Sequence, residues 1–126
     1  MDRVVHFHMP VENMERAEEF YTDIFGWNIQ KNDPEYQLAM TVETDENDIP
    51  KEPGAINGAL YKKDSPDEHQ EITIEVSSID DYLKKIEKSG GSIITNKTPV
   101  KDLGFYAEFR DTEGNIVGLW ENIESR

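Results

Sequence analysis

Hydrophobic and polar residues alternate from the start of the chain. In VVHFHMP, residues 4 to 10, Val5, Phe7 and Met9 take one set of alternate positions and His6 and His8 the other. Successive strand side chains point to opposite faces, so this pattern predicts a half-buried strand with both histidines on one face. The period then changes. Across ENMERAEEFYTDIFGW, Met14, Ala17, Phe20, Tyr21, Ile24 and Phe25 recur at helical spacing, with Asn13 placed to cap the helix and Gly26 to stop it. Phe20, Tyr21, Ile24 and Phe25 are expected to form a core stripe, and Trp27 to join the core.

The same change of period occurs a second time. In QEITIEVSS, Ile72, Ile74 and Val76 alternate with Glu71, Thr73 and Glu75. SIDDYLKKIEKSGG then gathers Ile79, Tyr82, Leu83 and Ile86 on one helical face, with Ser78 as N-cap, Asp81 completing a capping-box pattern and Gly90-Gly91 as the stop. Val11 and Val76, Asn13 and Ser78, and Gly26 and Gly91 each stand 65 residues apart, so the strand-helix unit is repeated. Three strand candidates follow each helix: 27 to 31, 35 to 43 and 55 to 62 in the first half, and 92 to 96, 104 to 110 and 115 to 121 in the second. Each half reads βαβββ. INGAL and IVGLW share an Ile-x-Gly core 60 residues apart, which aligns Gly58 with Gly118.

The expectation is therefore one α+β domain over residues 1–126, made of two βαβββ repeats at about 1–63 and 70–126. The acidic ETDENDIPKEPG reads as a solvated loop and KKDSPDEHQ as a polar linker, in which His69 carries no function. Packing Val5, Phe7 and Met9, or Ile72, Ile74 and Val76, under the helices leaves His6 and His8 on one polar face and Glu71, Thr73 and Glu75 on another. If the two halves curl toward each other, those faces line a cleft for a ligand.

Composition narrows the partners. Acidic residues outnumber basic ones 27 to 13, and the formal charge of −14 disfavours nucleic acid and anionic lipid surfaces. The absence of cysteine removes disulfides, thiolate metal sites and cysteine nucleophiles. No signal peptide or membrane-length apolar run is present, so the chain reads as soluble and cytoplasmic. Nucleophile motifs, phosphate-cradling glycine loops and dinucleotide fingerprints are also missing.

His6 is a candidate ligand or general base, because imidazole exchanges protons near neutral pH. Its plainer reading is a polar strand residue bonded to a neighbour, and for His8 the two readings weigh equally. Glu71 is a candidate partner for His6, since a nearby carboxylate orients an imidazole and raises its basicity; the alternative is an ordinary charged strand residue. Thr73 and Glu75 are expected to shape the pocket, and Trp120 to form an aromatic wall on the same face as Gly118. Gly58 and Gly118 mark bends or close backbone approach of a ligand. Tyr106 and Arg110 share a face that the pattern does not identify.

HFHMPVENMERAEEFYTDIFGW, FRDTEGNIVGLWE and the duplicated βαβββ order together resemble the vicinal oxygen chelate superfamily, which includes glyoxalase I, bleomycin-resistance proteins and extradiol dioxygenases. The likeness covers nearly the whole chain, and FYTDIFGW, GAINGALYK and DTEGNIVGLWE are similar to a small glyoxalase-related branch. What it implies is an incompletely closed eight-stranded barrel with a central cleft, and a homodimer. In metal-dependent members the ligands come from the first and last strands of each repeat. Here those positions are His6 and Glu71, then Gly58 and Gly118, so two of the four ligands are absent. A tightly bound divalent metal is accordingly disfavoured as a cofactor. Three readings follow: a glyoxalase-like small-molecule enzyme using His6 and Glu71 in isomerase- or lyase-type proton transfer; a non-catalytic protein that sequesters a ligand, which the negative charge would suit if the ligand were cationic; and an enzyme with a partial metal site at His6 and Glu71.

Overall fold

In the computed structural model, which describes residues 1–31 and 33–123, the chain is α+β, with eight strands and two helices. The order is β1 (Val4–Val11), α1 (Met14–Phe25), β2 (Asn28–Gln30), β3 (Tyr36–Met40), β4 (Asn57–Lys62), β5 (Glu71–Glu75), α2 (Ile79–Lys88), β6 (Ser92–Val100), β7 (Gly104–Arg110) and β8 (Ile116–Asn122). Both repeats therefore run βαβββ. The residues fall into two compact units, His6–Gln70 and a second one that joins Met1–Val5 to the chain from Glu71 onward. No helix among the described residues is long and apolar enough to cross a membrane.

In the first unit the strands lie in the order β2-β3-β4-β1, with β1 parallel to β4 and the other pairs antiparallel. Helix α1 starts where its sequence predicts: Asn13 accepts from the Arg16 amide at 3.0 Å, and Gly26 ends the helix at φ +72° with its amide donating to Thr22 O. Ile29, Ala39 and Leu60 form the buried centre, with Phe7, Met9 and Tyr21 packed against it. Trp27 stacks on Tyr21 at 4.7 Å and 11°, confirming its place in the core.

The helical stripe needs correcting. Met14, Ala17 and Tyr21 meet the sheet, whereas Phe20, Ile24 and Phe25 are 55%, 61% and 61% exposed. The apolar arc of α1 is wider than the surface the short sheet offers it, and α1 has no fully buried residue. Strand β3 also stops earlier than its apolar pattern suggests. Asn57 Oδ1 takes the amides of Thr41 and Val42, at 2.7 and 3.0 Å, and so closes the ladder with a side chain.

The second unit has the order β5-β8-β7-β6, again with one parallel pair, β5 with β8. The first residues of the chain belong here: Arg3 O accepts from Glu75 N at 2.9 Å, and Asp2 accepts from the Tyr82 hydroxyl at 2.6 Å. Val76, Ile79, Leu83, Ala107 and Leu119 form the core beneath α2. Ser78 caps α2 as expected, and Glu121 Oε1 accepts from the first helical amide, Ile79 N, at 2.8 Å. Glu121 thus faces the helix side. Ile72 is 45% exposed rather than packed, because it precedes the stretch Thr73–Glu75 that pairs with β8. Strand β6 runs four residues past its expected end, with register shifts between Ile93 and Thr98 that carry it past the break in its apolar alternation.

Candidate functional site

Each unit has a sheet face turned away from its helix. In the first unit this face carries His6 and His8, paired across β4 with Asn57 and Ala59. The two imidazoles meet edge to face at 4.7 Å. His8 Nε2 lies 3.0 Å from the Tyr36 hydroxyl, and its ring abuts Tyr61. Burial lowers both imidazoles to about 4, and at His6 the neighbouring His8 adds repulsion in the same direction. Both are therefore neutral at physiological pH. Burial pushes the Tyr36 phenol up, so it stays protonated beside them.

Gly58 lies on the opposite face. It pairs with Phe7, and a Cβ on it would sit 2.5 Å from Phe7 Cγ and Phe7 O, on the core side. The Ile-x-Gly alignment is therefore out of phase by one residue. The buried leucines Leu60 and Leu119 are 59 positions apart, whereas the two glycines are 60 apart, and a one-residue slip exchanges the faces of a strand. Ala59 takes the place that Gly118 holds in the second unit, and it is fully buried. Asn57 shares a face with His6, but its side-chain oxygen is spent on the Thr41 and Val42 amides.

In the second unit the open face carries Glu71, Thr73 and Glu75 from β5, with Thr73 paired to Gly118 and Glu75 to Trp120. Trp120 in turn pairs with Tyr106, and Gly118 with Glu108. Tyr106 and Glu108 thus join the same face, which answers for Tyr106 what the sequence left open. The Tyr106 hydroxyl donates to Glu71 Oε2 at 2.9 Å. Glu108 Oε1 accepts from Thr95 at 3.0 Å. Burial first, then the charges of Glu71 and Glu108, drive the Tyr106 phenol far above its ordinary range, so it acts only as a neutral donor. Thr73 is 3% exposed, and its hydroxyl has no hydrogen-bond partner among the described residues.

Two other candidates have structural partners. Glu75 meets Arg3 at 3.2 Å and Asn122 at 3.3 Å, while Trp120 donates to Asn122 Oδ1 at 2.9 Å. Arg110 turns to the Gly114 carbonyl at 3.0 Å and serves the β7–β8 turn. His6 belongs to the first unit and Glu71 to the second. Among the described residues no group of three or more His, Asp or Glu side chains is placed to hold a metal ion. A Cβ at Gly118 would meet the Thr73 and Tyr106 side chains, and its ladder partner is Glu108. Tyr106, Tyr36 and Glu108 are the site residues that the sequence reading did not assign. Strand pairing identifies them, and their only signal in sequence is alternation along β3 and β7.

Comparison with known proteins agrees with this architecture. A family model described as the Glyoxalase/Bleomycin resistance protein/Dioxygenase superfamily matches residues 3–119. No curated protein matches at a significant level. Among solved structures, a hypothetical protein from Bacillus halodurans C-125 superposes with a TM-score of 0.69 at 16% identity, covering 99% of this chain and 97% of that one. Methylmalonyl-CoA epimerase from Mycobacterium tuberculosis gives 0.64 at 15% identity, over 94% and 87% of the two chains. The Mn(II)-bound glyoxalase from Novosphingobium aromaticivorans gives 0.68 at 15% identity, over 98% of this chain but 40% of that one.

Proposed function

We propose that this chain, which belongs to the Glyoxalase/Bleomycin resistance protein/Dioxygenase superfamily, is a small-molecule enzyme of isomerase or lyase type that works by proton transfer. The observation that carries the reading is the Glu71 carboxylate, fixed on an open sheet face by the Tyr106 phenol at 2.9 Å. A carboxylate held in one orientation by a neutral donor is suited to take a proton from carbon next to a carbonyl and return it. His6 acts as a neutral imidazole, a hydrogen-bonding group rather than a cation. Trp120, beside Glu75, supplies apolar surface for the ligand. The reaction is drawn without a metal, because among the described residues no group of three or more His, Asp or Glu side chains is placed to hold one. The ligand is a small molecule, and the working form is a cytoplasmic homodimer.

A sequestering protein is the second reading. It is favoured by the pKa of about 4 at His6 and His8, because such weak bases match poorly to proton abstraction at neutral pH. Variants separate the two. An enzyme loses turnover in Glu71→Gln with ligand affinity kept, whereas a sequestering protein loses affinity in Trp120→Ala and has no turnover to lose. Unchanged turnover in Glu71→Gln would end the enzymatic reading.

A further inference from the structure

Strand β8 lies between β5 and β7, so the Tyr106 side chain, starting on β7, must cross β8 to reach Glu71 on β5. The residue it crosses is Gly118. A Cβ built there would lie 3.0 Å from Tyr106 Cε1, 3.3 Å from Tyr106 Oη and 2.8 Å from Thr73 Oγ1. The first and last of these are tighter than ordinary carbon contacts, so any side chain at 118 must push against the phenol ring and the Thr73 hydroxyl together. Thr73 has no room to retreat, being 3% exposed in the middle of β5. Its hydroxyl is left without a hydrogen-bond partner among the described residues.

We infer that Tyr106 is a positioning residue for Glu71, and that the absence of a side chain at Gly118 is the condition that admits it. The inference rests on the proposed role of Glu71 and adds the device that orients it. Gly118 is not a bend: its neighbours Val117 and Leu119 keep their ladder partners Phe109 and Ala107. The space that a side chain would fill on this strand is occupied from the adjacent strand by a phenol. A ligand-bearing side chain at 118 and the Tyr106–Glu71 hydrogen bond therefore exclude one another.

The test reads the Tyr106 hydroxyl proton by NMR in the full chain, wild type against Gly118→Ala and Glu71→Gln, with circular dichroism confirming each fold. A downfield hydroxyl resonance in the wild type that moves upfield or vanishes in both variants is the expected result. A resonance indifferent to either substitution overturns the inference. Tyr106→Phe supplies the functional arm, with kcat reduced at least ten-fold and KM within two-fold. If KM changes and kcat does not, Tyr106 is not positioning Glu71. If Gly118→Ala fails to fold, Glu71→Gln and Tyr106→Phe still decide. A hydroxyl signal that responds to Glu71→Gln in a protein without turnover would support the positioning and reject the enzymatic reading, so the two fail separately.

Discussion

The Tyr106 phenol on β7 reaches over β8 and donates to Glu71 Oε2 on β5 at 2.9 Å, passing above a glycine whose Cβ would block it. The same phenol is faced by a second carboxylate, Glu108, whose charge pushes its pKa up further.

The two strand glycines are predicted to resist substitution for different reasons. At Gly58 a methyl group meets Phe7 side chain and backbone at 2.5 Å on the core side, while at Gly118 it meets Thr73 and Tyr106 on the open face. Overpacking of this kind costs about 1–3 kcal/mol. Chemical denaturation should show a loss in that range for both alanine variants, with turnover affected beyond the stability loss only in Gly118→Ala.

Acid should destabilise the first unit through its histidines. His6 and His8 titrate at about 4 in the fold against 6.5 in the unfolded chain, so between those values the unfolded state binds more protons. Stability present above pH 6.5 is lost as the pH falls toward 4, by on the order of 3 kcal/mol for each histidine. Denaturation midpoints at pH 7 and pH 4.5 should converge in a His6→Gln/His8→Gln double variant relative to wild type.

Core and stripe separate by mutation. Leu60→Ala, at a fully buried position, should cost about 2–5 kcal/mol, whereas Ile24→Ser, at a position 61% exposed, should stay within about 0.5 kcal/mol. Comparable losses at both would mean that the outer face of α1 is packed in solution.

Glu121 is predicted to act as a remote cap for α2. Its carboxylate accepts from Ile79 N at 2.8 Å and lies 3.4 Å from Lys97 Nζ, at the positive end of the helix. Glu121→Ala should cost about 1 kcal/mol, by analogy with loss of an N-cap, and leave the open face unchanged. Urea denaturation with a parallel activity assay checks both halves of that expectation.

The duplicated βαβββ order, both helix N-caps and the polar strand faces were legible in sequence because each rests on local chemistry: alternation, a capping side chain, a glycine at positive φ. Gly58 was misread for a related reason. The Ile-x-Gly likeness matches residue names, but the face is set by ladder register, and register depends on Phe7 and Leu60 packing under α1. The outer half of the α1 stripe was read as core because helical period shows which residues share a face, not how wide a sheet will meet them. Tyr106 could not be assigned without knowing that β7 lies beyond β8 and that position 118 leaves a gap between them.

Proton transfer at Glu71 is tested most directly by deuterium incorporation. The protein would be incubated in D2O with a panel of small 2-oxo acids and acyl thioesters, and exchange at the carbon beside the carbonyl followed by NMR for wild type and Glu71→Gln. The account predicts catalysed exchange by the wild type that falls at least about a hundred-fold in Glu71→Gln. Equal exchange in the two proteins, or binding without exchange in the wild type, would contradict it.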